Sequence, residues 1–392
     1  MRQWVAPVAM SGFVMAGDFK AAPPFSYLPF DLTVVLALVV VILIAFRVLF
    51  EPIPPAVFGV LLGFAVLVPS ALLAGDTPYA SEKVTRLFTL TLLSAAAPIF
   101  LVLNGDDLIR HVWAWTGWCG FVVASGLVDP QYSDGSTDSA ISSESADTIA
   151  LGVAAGLVVV VLGMGLIYRI TPWWLALAGG TIACIVLLQS GSRGPLISVL
   201  VAVVLTVMVV RLRPPKLRAG VVAALIGGGL FASFQLAPAG AQGRISSFLE
   251  GENTGTVRER NGLYENALNS IDRQPFGLGM GNFSEVAPDP YVYPHNLPLE
   301  VLAEAGVFLG GLFLVWIMVW LWRAQRASHQ FATVTSLCIL VYVLAVTMST
   351  GDLNNNRAFF YALGLTAAIS GVLSGVASDQ FEKVRSRASS LV

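Results

Sequence analysis

The chain has 392 residues, of which 56% are hydrophobic and only 12% are charged. A water-soluble domain of this length needs far more polar surface, so the composition indicates an integral membrane protein. The formal net charge of −2 says little about partners, because charge in such proteins is sorted by loop, and nucleic acid is not expected as one. Cys119, Cys184 and Cys338 all lie in apolar runs, which argues against a disulfide framework or a cysteine-based metal site.

Apolar runs long enough to cross a bilayer recur along the whole chain. They lie near residues 3–17, 28–49, 54–73, 84–103, 109–128, 148–168, 172–190, 194–210, 219–237, 295–322, 331–350 and 357–376. The first run is as short as a signal peptide, but it has no convincing cleavage site and is read as a helix. We therefore predict an all-α polytopic membrane protein with about twelve transmembrane helices and both termini on one side.

Most of the 22 lysine and arginine residues fall in one alternating set of short connections and tails, which predicts that this side is the cytoplasm. The opposite side then carries an acidic, serine-rich loop at 129–148 and a long insertion at 238–294, between the ninth and tenth spans. The insertion suggests three parts of the chain: 1–189 as an N-terminal bundle, 190–322 as a functional region, and 323–392 as C-terminal helices with a cytoplasmic tail.

The sequence SGSRG at 190–194 forms a short turn between two apolar runs and places Arg193 at the membrane boundary or slightly within it. An arginine at helix-centre depth costs about 2.5–3.5 kcal/mol on insertion scales unless it finds a polar partner. Snorkelling to lipid headgroups is one interpretation. Gly191 and Gly194 favour the other, an anion facing Arg193, because glycine permits close backbone approach and leaves amide donors beside the cation.

The insertion contains a predicted amphipathic helix at about 258–272, which a Pro-Phe-Gly break ends. Its apolar face is predicted to consist of Leu263, Ala267, Leu268 and Ile271. The GLGMG stretch at 277–281 has no preceding strand, so it is interpreted as a flexible turn rather than a dinucleotide loop.

Arginines open that predicted helix, at Arg258 and Arg260, and Tyr264 falls one turn after Arg260 on the same side. Cations are disfavoured at a helix N-terminus. The arginines therefore either belong to a solvated helix start or face an anion.

His295 and Asn296 follow Tyr291 and Tyr293 and open the tenth apolar run, which also carries Glu300 in its first turn. A histidine at a helix start is commonly a structural hydrogen-bonding group. Here it shares its predicted side of the membrane with several arginines, and histidine suits proton transfer near neutral pH. Both roles stay open from the residues alone.

Three stretches in this order resemble the consecutive signatures of the O-antigen ligase/polymerase family: SGSRG, RNGLYENALNSIDRQPFGLGMGNF and HNLPLEVLAEAGVFLG. They span about 190–311. Members of that family are bacterial membrane glycosyltransferases of the GT-C type that use polyprenyl-diphosphate-linked glycans. The flanking helices match only in number and hydropathy.

The resemblance implies that Arg193 and Arg260, with Arg258 beside them, hold the donor diphosphate and that His295 is the catalytic histidine. Arginine forks stabilise a leaving diphosphate by charge-assisted hydrogen bonds, and a neutral histidine accepts the proton of an attacking hydroxyl, so the chemistry agrees. Supporting roles are expected for Asn296, Tyr264, Tyr293, Glu300, Arg357 and Asp352. No cofactor and no metal site are expected.

The implied partners are the lipid-linked glycan donor, a glycan or lipid-linked acceptor, and the bilayer; the oligomeric state is not readable. The implied location is the bacterial cytoplasmic membrane, with cytoplasmic termini and an extracytoplasmic active site. Ligase and polymerase activities are not separable, because they share the donor chemistry. A secondary transporter is the alternative, but such proteins are usually built from repeats, and 1–196 and 197–392 show no similarity.

Overall fold

The computed structural model describes residues 2–128, 130–132, 141–142, 146–209, 255–326 and 331–369, and in addition residues 220, 227 and 228. Several predictions concern residues outside these ranges. They are the ninth apolar run at 219–237, most of the acidic loop, the first part of the long insertion and the C-terminal tail.

The described part of the chain is a helical bundle. In chain order its helices are α1 Arg2–Phe19, α2 Leu32–Phe50, α3 Pro55–Val66, α4 Val68–Leu72, α5 Pro78–Leu101, α6 Gly105–Val128, α7 Thr148–Ile167, α8 Trp173–Gln189, α9 Arg193–Val209, α10 Gly255–Arg273, α11 Leu297–Arg326, α12 Phe331–Thr347 and α13 Arg357–Ile369. Two strands of two residues each, β1 Gln131–Tyr132 and β2 Ile141–Ser142, pair antiparallel within the acidic loop.

Helix α7 lies at the centre of the bundle, where it packs against α6, α8, α9 and α12. Its sequence, TIALGVAAGLVVVVLGMGLI, is apolar on every face, as expected for a helix that is surrounded by others. Glycines allow a close approach: Gly156 faces the hydroxyl of Tyr342, which donates to the carbonyl of Val153 at 2.9 Å. Helix α2, in contrast, is mostly exposed and apolar, which suits a helix facing lipid.

Side-chain caps fix where several helices begin. Asp31 accepts from the amide of Thr33 at 2.7 Å before α2, and Asp147 accepts from Ala150 at 2.7 Å before α7. Thr77 accepts from Ala80 at 3.1 Å before α5, whose first residue is Pro78. Each cap satisfies one amide that has no partner inside its own helix.

Two helices depart from regular geometry near the region of interest. Helix α5 contains a π-helical stretch at Leu87–Thr91, and α11 is broken at Gly306, where φ is 79° and ψ is 169°. π-Helical stretches and breaks of this kind often accompany functional sites.

Every predicted apolar run within the described residues overlaps a helix, and the run at 54–73 is divided into α3 and α4. Among the described helices, four are long and apolar enough to cross a membrane: α2, α5, α7 and α11. Helices α3, α8, α9, α12 and α13 are apolar but shorter. The chain is thus a helical membrane protein, while the number of twelve spans stays a prediction.

Candidate functional site

The HN motif lies at the start of α11. His295 has a φ of 55°, a left-handed conformation that is uncommon for a residue other than glycine and is often found where a local function requires it. Asn296 caps the helix, accepting from the amide of Leu299 at 3.1 Å. Its amide group also donates to the carbonyl of Met348 at 2.9 Å, which ties the motif to the turn that follows α12.

Two tyrosines surround the imidazole. The ring of Tyr293 lies 4.4 Å from that of His295 between centroids, and the ring of Tyr291 lies 5.9 Å away. The hydroxyl of Tyr291 donates to Glu259 of α10 at 2.7 Å. Burial, followed by the negative charge of Asp352, raises the pKa of Tyr293 to about 12, so both tyrosines remain neutral donors near His295.

The positive charge of Arg260 acts on the imidazole of His295. Burial lowers the pKa of His295, the positive charge of Arg260 lowers it further, and the negative charge of Asp352 opposes both. The side chain of His295 is therefore neutral near pH 7. Within the described residues, its buried Nδ1 has no hydrogen-bond partner. We call His295, Tyr291, Tyr293 and Arg260 the His295 surface.

Helix α10 confirms the predicted amphipathic helix and presents Arg260 to that surface. Leu263 and Ala267 are buried against Ala303 of α11 and against Phe283, which precedes that helix, and Ile271 packs beside them. Leu268 is a correction: it was predicted on the apolar face, but its side chain is 55% exposed, because it lies five residues from Leu263 and so turns away.

The other predicted residues on α10 differ in their burial. Tyr264 is half-buried one turn after Arg260, and Arg258 is exposed at the edge of the site.

The SGSRG turn lies against the same turn after α12. Arg193 is the first residue of α9 and is half-buried, and Gly191 before it has a φ of 61°. A Cβ on Gly194 would lie 2.5 Å from the hydroxyl of Ser349, the residue next to Met348. The HN motif thus contacts Met348 and the SGSRG turn adjoins Ser349, so both motifs lie against adjacent residues of one turn.

A buried ionic cluster lies directly beneath the start of α11. The ammonium group of Lys83, from α5, is 2.5 Å from Glu300, 2.8 Å from Glu304 and 3.5 Å from Asp352. None of these four side chains is more than 2% exposed. Tyr79 donates to Asp352 at 2.8 Å. We call these five residues the Lys83 cluster.

The cluster also fixes the backbone around it. The carboxylate of Glu300 accepts from the amide of Leu353 at 3.1 and 3.2 Å, so α11 and the turn at 352–356 are held together. Both Glu300 and Asp352 were predicted as supporting residues, and both are placed next to the HN motif.

The GLGMG stretch was predicted to be a flexible turn, and this is wrong. Gly277, Gly279 and Gly281 have φ of 94°, 91° and 83°, and a Cβ on any of them would collide with neighbouring atoms of Glu304, Leu73 or Ala80. The turn is packed because it fills the break in α11.

Hydrogen bonds replace those that the break removes. The amide of Leu278 donates to the carbonyl of Ala303 at 2.9 Å, that of Gly279 to Glu304 at 3.0 Å, and that of Val307 to Pro275 at 2.8 Å. A broken helix at membrane depth needs such partners, since lipid offers none. The turn therefore fixes the segment of α11 that carries Glu300 and Glu304.

Arg357 does not belong to the His295 surface. It donates to the carbonyl of Phe13 in α1 at 2.9 Å, and it interacts electrostatically with Asp18. Asp352, five residues before Arg357 in sequence, pairs instead with Lys83 and Tyr79. Arg357 thus helps to hold α1 against α13.

Lys83 and Tyr79 were missed as site residues, and Glu304 was given no role. The available signal was the pair Glu300 and Glu304, which lie four residues apart and hence on one face of an apolar helix. Two carboxylates in such a helix require a cation inside the bundle. The position of that cation, 217 residues away in sequence from Glu300, was not readable.

The fold and these groups together define a class: a helical membrane protein with a charged site at the end of its bundle. A model of the O-antigen ligase family matches residues 177–314, which include the SGSRG turn, α10, the GLGMG turn and the HN motif. The resemblance seen in the sequence is thereby confirmed, and the chain contains an O-antigen ligase family domain over these residues. No curated protein and no solved structure matches the chain.

Proposed function

We propose that the protein transfers a glycan from a polyprenyl diphosphate carrier to an acceptor hydroxyl at the extracytoplasmic face of the bacterial cytoplasmic membrane. The observation that supports this most is that the HN motif and the SGSRG turn adjoin two neighbouring residues, Met348 and Ser349, while the charge of Arg260 acts on His295. These contacts support a region that contains a neutral histidine and arginines.

Arg260 and Arg193, with exposed Arg258 at the edge, are the groups proposed to hold the donor diphosphate. Arginine matches phosphate oxygens with two parallel hydrogen bonds and stays charged at every physiological pH. As the sugar departs, negative charge develops on the leaving diphosphate, and fixed guanidinium groups stabilise that charge without a metal ion.

His295 is the proposed general base. The acceptor oxygen forms a bond to the anomeric carbon, the bond from that carbon to the phosphate oxygen breaks, and the electron pair leaves on the diphosphate. The proton of the acceptor hydroxyl passes to the imidazole of His295. A base must be neutral to accept a proton, and the lowered pKa of His295 meets this requirement near neutral pH.

Tyr293, Tyr291 and half-buried Tyr264 are proposed to contact sugars, because aromatic faces and hydroxyls suit the apolar and polar faces of a glycan ring. Asn296, as the cap of α11, holds the histidine in place.

Purified protein in detergent, supplied with a polyprenyl-diphosphate-linked glycan and an acceptor, tests the function directly. Consumption of the donor with release of the polyprenyl diphosphate, unchanged by EDTA, is the expected result. A protein that leaves the donor intact but moves it or a solute across a vesicle membrane is a transporter instead. Product analysis after gene deletion separates the activities: glycan repeats without long chains indicate a polymerase, and long chains left on the carrier indicate a ligase.

The proposed orientation has its own test. The three native cysteines are buried, so a single introduced cysteine reports its own side of the membrane. We expect Glu265→Cys, on the exposed face of α10, to react with an impermeant reagent in intact cells with an opened outer envelope. Gln325→Cys, near the end of α11, should react only after permeabilisation. The opposite pattern places the site in the cytoplasm and removes the proposal.

A further inference from the structure

The Lys83 cluster contains more acidic than basic side chains. Three carboxyl groups, from Glu300, Glu304 and Asp352, share one ammonium group, so full ionisation leaves two uncompensated negative charges. Glu300 and Asp352 also contact each other side chain to side chain. Two carboxyl oxygens in contact share a proton, so the three carboxyl groups carry at most two negative charges against one positive charge.

The cluster lies next to the His295 surface along the chain. Glu300 lies in the first turn of α11, just after the HN motif, and Asp352 ends the turn whose residue Met348 accepts from Asn296. Asp352 is near enough for its charge to act on His295. The positive charge of Arg260 acts on the imidazole in the opposite sense. His295 is therefore subject to both a cation and a buried carboxyl group.

We propose that the Lys83 cluster is the counterion of His295: its carboxylates balance the positive charge that the imidazole gains when it takes the proton of the acceptor hydroxyl. This inference rests on the proposed function. Asp352 is the positioning residue whose charge acts on His295. Glu300 and Glu304 are its partners in the cluster, and Lys83 holds the three carboxyl groups in place.

The physical need for such a counterion is clear from the surroundings of His295. An imidazolium forming in a half-buried place beside Arg260 is opposed by desolvation and by like charge. A fixed negative charge close by lowers that cost, and it needs no rearrangement during the reaction. The ionisable groups around the imidazole are Tyr291, Tyr293, Glu259, Arg260 and Asp352. The charges of Glu300, Asp147 and Lys83 act on the neighbouring Tyr293.

The pH dependence of turnover tests the proposal. A negative charge favours the imidazolium, so its removal lowers the pKa of His295 and moves the acid limb of kcat/KM to lower pH. We expect a shift of about one unit for Asp352→Asn, whose charge acts on His295, and a smaller shift for Glu304→Gln, since a nearby opposite charge shifts a pKa by at most about 1–3 units. Glu285→Gln is the matched control: the same change at an exposed carboxylate outside the cluster, with no shift expected.

An NMR titration measures the same quantity without turnover. The chain has three histidines, so in ¹³C-histidine-labelled protein the resonance that disappears in His295→Gln identifies His295. Its titration midpoint should move to lower pH in Asp352→Asn and in Glu304→Gln, and either folded variant suffices.

The outcomes separate the two proposals. A purified wild-type protein that does not consume the donor, or a His295→Gln protein that turns over normally, overturns the proposed function. An active enzyme that needs His295, but whose acid limb and titration midpoint stay fixed in both cluster variants, overturns the counterion alone. In that case the cluster only holds α5 to α11.

Discussion

Two neighbouring groups of polar residues, the Lys83 cluster and the His295 surface, are held in different ways. In the Lys83 cluster the four charged side chains are buried, Tyr79 is half-buried, and each has a partner on another part of the chain: Lys83 contacts three carboxyl groups and Tyr79 donates to one of them. On the His295 surface the side chains are half-buried, the backbone of His295 is left-handed, and its Nδ1 has no partner among the described residues.

The difference indicates that the Lys83 cluster and the His295 surface have different roles. A buried cluster of paired charges resists movement, because each partner that leaves exposes a charge to an apolar interior. A polar atom without a partner beside a strained residue is uncommon in folded proteins and is a feature of sites that complete themselves with a ligand. The Lys83 cluster thus fixes the scaffold that carries the His295 surface, the proposed substrate site.

The largest expected effect on stability is at Lys83. Lys83→Met leaves buried carboxylates without their cation and should lower the free energy of unfolding by about 3–5 kcal/mol. The control is Arg86→Met, one turn further along α5, whose exposed pair with Glu82 is worth about 0–1 kcal/mol. Thermal unfolding in detergent compares the two, and equal losses would mean that the cluster is not a structural anchor.

The next effect concerns the donor arginines. Arg260→Lys keeps the charge but loses the fork, so kcat/KM should fall about ten- to a hundredfold, in line with about 1.5–3 kcal/mol for a hydrogen bond to a charged group. Arg273→Lys, at the exposed end of the same helix, should change little. Arg193→Lys should behave like Arg260→Lys. Similar rates for all three variants would assign these arginines to the solvated surface.

A smaller effect is expected at the turn that supports both groups. Gly279→Ala forces a left-handed residue to carry a Cβ that meets the carbonyl of Leu73, and strain of this kind costs about 1–3 kcal/mol. Gly262→Ala, in α10 with open space around it, should be neutral or stabilising by up to about 1 kcal/mol. If both variants had the same melting temperature, the GLGMG turn would be as flexible as its sequence suggested.

The helices were predictable from the sequence because span length and hydropathy are local properties. The same holds for α10, whose apolar residues recur with helical spacing. Its face was misassigned only at Leu268. The capping role of Asn296 follows from its position before an apolar helix.

The break at Gly306 and the packed GLGMG turn were not predictable. Each depends on hydrogen bonds to the other, and the two segments are about 30 residues apart in the chain. Lys83 was not predictable either, because its carboxylate partners lie more than 200 residues away in sequence. The sequence also grouped Arg357 with the site, although its hydrogen bond and charge partners belong to α1.

The most direct test of the central claim, that His295 is the base of a glycan transfer, is to measure donor binding and turnover separately on folded His295→Gln protein. We predict normal binding of the polyprenyl-diphosphate glycan, because binding depends on the arginines. Turnover should fall by about 10²–10⁴-fold, since glutamine preserves a neutral hydrogen bond but cannot accept the proton. Near-normal turnover in the folded variant, with lower thermal stability as its only defect, would contradict the claim and make His295 a structural residue.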